Sequence, residues 1–281
     1  MDKRSSPALR EIESLDPERD YERISFLTIN YDFPWDTEQS ESLAFFKTYC
    51  VPSISALLDR TGEFATRAQK RYDDTKLILA ELLDHGIDSE RGREAQRRMN
   101  RMHRRYAISN DDYLYVLSTL VLEPGRWNKR FGWRRVTDKE KQAGLNYWRE
   151  VGRRMNIRDI PATYTELDAF NRRYEREHFA YAASNRRVAD QTMGLFVSWY
   201  PRPLRGLVRL GILSLLEEPV LDAFGYERPP RWFKALVEGA LRLRARLLAY
   251  APRRRRPHLI TRSRQRSYRR GYRLEELGVP Q

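Results

Sequence analysis

A single cysteine, Cys50, stands in 281 residues, which excludes an internal disulfide and with it a stapled secreted scaffold. Histidine is almost as scarce. His85, His103, His178 and His258 form no HExxH or HxxxH pair, and with one thiol a zinc site has too few ligands. No stretch reaches the ~18 apolar residues of a spanning helix. The longest, Leu204 to Leu216, is interrupted by Arg205 and Arg209. The opening MDKRSSPALREIESLDPERD has no apolar signal-peptide core, so a cytoplasmic location is the expectation. Alternating runs long enough for a strand are missing, as are GxGxxG, a P-loop and any repeat of fixed period.

Aromatic bulk is plentiful: 16 Tyr, 11 Phe and 6 Trp give a chain with 33% charged residues the means to bury a core, so it folds. The net charge of +14 is uneven, because residues 253–281 hold 10 Arg against 2 Glu. Such a tail can meet phosphates of an anionic membrane surface or of nucleic acid. Arg outnumbers Lys 45 to 8 across the whole chain, however, and that usage inflates every basic cluster. A specific nucleic-acid role is therefore not expected, and peripheral contact with an anionic membrane is the remaining use of the tail.

The periodicity is helical throughout. Residues 1–36 read as an extended arm ending in the aromatic turn Tyr31-Asp-Phe-Pro-Trp35, residues 37–252 as one multi-helix domain and 253–281 as the basic tail. Thr37 is a predicted helix cap. Pro52 is expected to split the first long segment and Gly62 to end it, while Gly86 suits a helix C-terminus. The acidic pair in Arg71-Tyr-Asp-Asp-Thr75 reads as a helix start. Asp88 or Ser89 can cap the next helix, and Ser109-Asn-Asp-Asp112 restarts the chain. A helix from Tyr113 is expected to stop at Pro124, before a ring-rich loop. Thr137/Glu140 and Thr163/Glu166 both match a capping box. This is an all-α chain.

Two imidazoles are candidates for chemistry. Met99, Met102, His103 and Tyr106 recur on one face, as do Leu167, Phe170, Tyr174, His178 and Tyr181, so both His103 and His178 are predicted to point inward. His85 and His258 are expected at the surface. An inward imidazole can ligate haem iron or transfer protons, or it can be a core histidine satisfied by a carbonyl. Arg98 and Arg101 form a cationic stripe beside His103 that could grip carboxylates, whether propionates or acidic side chains of neighbouring helices.

The segments Arg98-Met-Asn-Arg-Met-His103, Asp112-Tyr-Leu-Tyr-Val-Leu-Ser-Thr-Leu-Val121, Arg130-Phe-Gly-Trp, Tyr147-Trp-Arg-Glu-Val-Gly152, Ile160-Pro-Ala-Thr163 and Tyr268-Arg-Arg-Gly-Tyr-Arg-Leu-Glu-Glu-Leu-Gly278 resemble, in that order, the mpaB and rubber oxygenase family. The resemblance implies a globin-like helical core, a b-type haem held by a histidine, and dioxygen-dependent cleavage of isoprenoid double bonds. One position departs from it. Where many relatives carry the iron-ligating histidine this chain has Leu117, which cannot bind iron. The resemblance then leaves His103 as the provisional iron ligand, ahead of His178, with Arg98 or Arg101 near bound oxygen or the propionates. The expected function is a haem-b-dependent oxygenase of an apolar, isoprenoid-like substrate. Its rivals are a haem-free helical binding protein and a peripheral binder acting through the arginine tail.

Overall fold

Ser89, Ser109, Thr137 and Thr163 each accept a backbone N–H through the side-chain oxygen, and a helix starts behind every one of them. The Thr137/Glu140 and Thr163/Glu166 boxes close reciprocally, as their spacing predicts. In the computed structural model, which describes residues 6–278, the helices are α1 (Pro7–Ser14), α2 (Tyr21–Leu27), α3 (Pro34–Tyr49), α4 (Pro52–Thr61), α5 (Glu63–His85), α6 (Glu90–His103), α7 (Asn110–Phe131), α8 (Asp138–Arg154), α9 (Tyr164–His178), α10 (Ala183–Ser198), α11 (Arg205–Leu215), α12 (Glu218–Phe224) and α13 (Arg231–Leu248). No strand occurs among the described residues, and none of their helices is long and apolar enough to cross a membrane.

Helix α7 is the axis of the fold, with α3, α8, α9 and α13 packed around it. Contrary to expectation, it does not stop at Pro124 but continues about two turns further to Phe131. Proline removes one N–H from the ladder, a loss of up to about 3 kcal/mol. Burial of Trp127, Asn128 and Phe131 beyond it offsets that loss, with Asn128 donating to the Pro124 carbonyl and Trp127 Nε1 to Asp36 of α3. The expected ring-rich loop is therefore mostly helix.

The chain ends also differ from expectation. The N-terminal arm is helical: Ser6 caps α1, Pro7 fits its first turn, and Ile12, Ile24 and Leu27 bury against Ala143 of α8. Thr37 lies inside α3 rather than capping it, because Pro34 already opens the first turn. A sealed network fixes this region to the body, in which Arg134 joins Asp32 and Glu140 while Thr28 donates to Glu140. The C-terminal segment is no loose tail either. It crosses α5 and α6, where Leu274 and Leu277 enter the core beside Leu77 and Ile78. Asp73 and Asp74, in mid-α5 instead of at a helix start, accept from Ser267 N–H and Tyr268 Oη.

At the crossing of α7 and α8 the packing leaves no room. A Cβ at Gly152 would meet Leu117 Cδ1 at 2.5 Å and Ile160 Cδ1 at 2.7 Å. Leu117 thus fills its site against a glycine. Gly152→Ala is expected to lower stability in urea unfolding by about 1–3 kcal/mol, the usual overpacking penalty. Combined with Leu117→Ala, its loss should be smaller than in the wild-type background, and strictly additive losses would show that the contact is relaxed elsewhere.

Candidate functional site

Neither predicted imidazole stands in the middle of its helix. His103 and His178 are each the last residue of their helix, and each pairs Nδ1 with the carbonyl four residues back, Met99 O at 2.8 Å and Tyr174 O at 3.1 Å. A carbonyl only accepts, so Nδ1 carries the proton and the ring finishes its own helix end. His178 is exposed, stacked on the outside of Tyr174 at 3.9 Å, which corrects its expected inward placement. The apolar stripe that predicts it runs past the point where α9 stops, and Tyr181 beyond is 63% exposed. His103 is partly buried beside Tyr113. Burial pushes its pKa below the ordinary histidine value, with the Arg71 charge acting the same way against the Met99 hydrogen bond.

The arginines beside His103 divide. Arg98 donates to the Leu277 and Glu275 carbonyls, tying the C-terminal segment to α6, and Arg101 is exposed. The haem implied by the resemblance needs a slot of several hundred Å³ beside its axial imidazole. The pocket over Lys47 and the one between α3, α5 and α8 touch none of His103, His178 and Leu117, and Leu117 is packed against Gly152. The hydrogen bond at Nδ1 leaves Nε2 of each imidazole free, the nitrogen that would face a metal. Among the described residues no three His, Cys, Asp or Glu side chains gather as a metal site.

Charge is instead concentrated where the sequence reading does not place it. Lys47 of α3 is 5% exposed, and its Nζ lies 3.0 Å from Glu123 of α7, 3.4 Å from Glu175 of α9 and 3.3 Å from Glu217 beside α12. Arg126, one turn past Glu123, reaches Glu123 at 2.6 Å, Asp168 at 2.7 Å and Asn171 at 2.9 Å. Asn171 in turn donates to Ser118. Two cations thus face four carboxylates. Burial draws the Lys47 ammonium downward, yet Glu123, Glu175 and Glu217 outweigh it and leave its pKa raised. Burial pushes Glu175 up, and Lys47 and Arg126 only partly counter this, so its carboxyl is held toward the protonated form. Lys47, Glu123, Arg126 and Glu217 line a small pocket open to solvent whose other walls include Leu43, Trp127, Leu216 and Val220. A polar floor beside apolar walls can place cations at the polar or reacting end of an apolar molecule lying against it.

A second small cavity lies between α3, α5 and α8. His258, expected at the surface, is on its wall with Glu41, Lys76 and Tyr147. The buried Tyr147 hydroxyl has no hydrogen-bond partner there.

A family profile described as ER-bound oxygenase mpaB/B′/rubber oxygenase, catalytic domain, matches residues 47–248. The chain belongs to this family. Among its relatives, the ER-bound oxygenase mpaB′ of Penicillium brevicompactum is 27% identical over 237 residues, covering 78% of this chain and 56% of that protein. The ER-bound oxygenase mpaB of the same organism is 29% identical over 59% of this chain and 47% of its own length. That of Penicillium roqueforti is 28% identical over 62% and 65%. The chain therefore spans about half to two thirds of the curated relatives it matches. The region matched to the mpaB/rubber oxygenase family begins at Lys47 and contains every member of the charged cluster. It leaves out Glu41 and His258 of the second cavity.

A lysine inside the apolar series Leu43, Phe46, Cys50, and a glutamate directly after Val121-Leu122, are the sequence signals that mark the cluster. The second cavity has a signature of its own. Burial pushes the Glu41 carboxyl up to about 7, more than Lys76 offsets, and Glu38 adds to the rise. The folded chain therefore keeps a proton that the unfolded chain releases above the ordinary pKa of about 4.5, and stability falls as pH rises between those values. Glu41→Gln should be more stable than wild type at pH 8, by up to roughly 3 kcal/mol, and equal to it near pH 4 in thermal unfolding. A constant difference across that range would contradict the raised carboxyl.

Proposed function

We propose that this chain is an oxygenase of an apolar, isoprenoid-like substrate, with the cavity over Lys47, Glu123 and Arg126 as its site. The observation that carries this reading is a buried ionic floor under apolar walls, lying wholly within the segment matched to a family of oxygenases. The reaction class is cleavage of a carbon–carbon double bond by dioxygen. Both oxygen atoms enter the product, two carbonyl groups replace the alkene, and no external reductant is consumed. The walls take up the hydrocarbon and exclude water, while Lys47 and Arg126 stabilise negative charge on oxygen and their carboxylates hold them in place. Haem b is the redox group the family resemblance implies. Leu117 stands where many relatives carry the iron ligand, and neither pocket touches His103 or His178.

The relatives are named ER-bound, and a hydrocarbon substrate resides in bilayers, so we place this chain beside a membrane as part of the same reading. A second reading, a helical binding protein without turnover, is favoured by the filled position at Leu117.

The two separate under ¹⁸O-labelled dioxygen with a prenylated substrate, using protein as purified and protein incubated with haemin. The oxygenase reading predicts label in both carbonyl fragments. Arg126→Met should lower turnover about 100-fold and Arg126→Lys restore part of it, with melting curves unchanged or corrected for. No oxygen-dependent loss of substrate in either preparation overturns it in favour of binding alone. A Soret band that His103→Ala abolishes would return the site to the imidazole of α6.

A further inference from the structure

Helix α13 ends the family-matched region, and its outward face is unlike any other in the molecule. Trp232, Leu236, Leu243, Leu247 and, just past its end, Tyr250 are between 55% and 85% exposed. At 100° per residue they fall within about 60° of arc, so they form one straight apolar stripe. Only small residues, Ala235, Gly239 and Ala240, complete the exposed apolar surface between them. Helix α11 lies against α13 and adds Leu207, 56% exposed.

The charge around this stripe has one sign. Arg231, Arg242 and Arg246 line one edge, and Arg254, Arg255 and Arg256 follow where the chain leaves the helix, all exposed. The sole acidic residue of α13, Glu238, is turned to the body, where it pairs with Arg130 at 3.1 Å and with Arg242 at 2.7 Å. Arg231 and Arg246 have no carboxylate partner among the described residues. Tryptophan, tyrosine and leucine beside unpaired arginine is the chemistry of an interfacial helix. A second copy packed on the same face by a two-fold axis would bring arginines against arginines, in a chain already at +14.

We propose that the outer face of α13, extended by α11, docks on an anionic lipid surface, with Trp232, Leu236, Leu243 and Leu247 entering the interface and Arg231, Arg246 and Arg254–Arg256 meeting the headgroups. This deepens the membrane side of the reading above by naming the surface, and it moves the attachment from the C-terminal arginines alone to a helix face. The placement suits substrate delivery. Arg130, which holds Glu238 of α13, also lines the cavity over Lys47, so the docking helix is fastened to the cavity wall. A hydrocarbon substrate would then be taken up from the bilayer that the helix touches.

The test is co-sedimentation of the full chain with phosphatidylcholine vesicles, with and without phosphatidylserine, and it reads no turnover, so it fails separately from the oxygenase reading. Binding is expected only with phosphatidylserine and weakens with salt. Leu236→Glu/Leu247→Glu should reduce partitioning roughly tenfold or more. These side chains are exposed, so melting temperature should be unchanged. Brominated acyl chains should quench fluorescence in wild type and do so less in Trp232→Phe. The proposal is overturned if the double Leu variant binds as wild type does. It is equally overturned if Arg254→Glu/Arg255→Glu/Arg256→Glu abolishes binding that the stripe variant leaves intact, or if the chain ignores vesicles and forms a dimer that the Leu variant dissolves.

Discussion

A lysine ammonium with almost no access to water has to be surrounded by acceptors or the helix carrying it cannot pack. Lys47 sits in that position, and Glu123, Glu175 and Glu217 come from three other parts of the chain to meet it. Removing charges from water costs several kcal/mol per ion, which only close, well-directed pairing offsets. The relative placement of α3, α7, α9 and the start of α12 is therefore constrained by one side chain. Arg126 repeats the constraint a turn later through Asp168 and Asn171. Burial leaves Glu175 inclined to keep a proton, with Lys47 and Arg126 opposing the rise and Glu123 and Glu217 adding to it.

From that constraint the rest of the functional account follows in space. The cavity over the floor is walled by apolar side chains of α3, α7 and α12, and α13 is tethered to its rim by the Arg130–Glu238 pair. The polar networks elsewhere do different work. Arg134 with Asp32 and Glu140 fastens the N-terminal helices, while Arg98, Asp73 and Asp74 fasten the C-terminal segment. Those arginines and carboxylates hold the chain termini to the body. The filled contact of Leu117 with Gly152 makes the same distinction in the core, since a close-packed crossing supplies rigidity where an iron ligand is missing.

The sequence made some of this legible and not the rest, for reasons that particular residues show. Caps are local chemistry, so Ser89, Ser109 and the two threonine boxes are readable without tertiary context. Pro124 and Thr37 mislead because packing of Trp127 and Phe131, and the earlier Pro34, outweigh local preference. His103 and His178 mislead in another way. Periodicity reports a helix face only while the helix lasts, and both rings stand at its last residue. Family resemblance is visible in ordered segments across the chain and agrees with the profile match, yet it draws attention to imidazoles rather than to the cluster. Lys47, Glu123 and Glu175 are far apart in sequence, and nothing local announces that they meet.

The central claim is that the buried Lys47 pairing organises both fold and site. A double-mutant cycle by urea unfolding, with Lys47→Met, Glu123→Gln and the two combined, tests it most directly. The account predicts a coupling of about 1–3 kcal/mol, because each single change removes a close pairing from a charge that stays away from water beside its other partners. A coupling within about 0.5 kcal/mol of zero would contradict it, showing that the two groups are solvated as ordinary surface charges are.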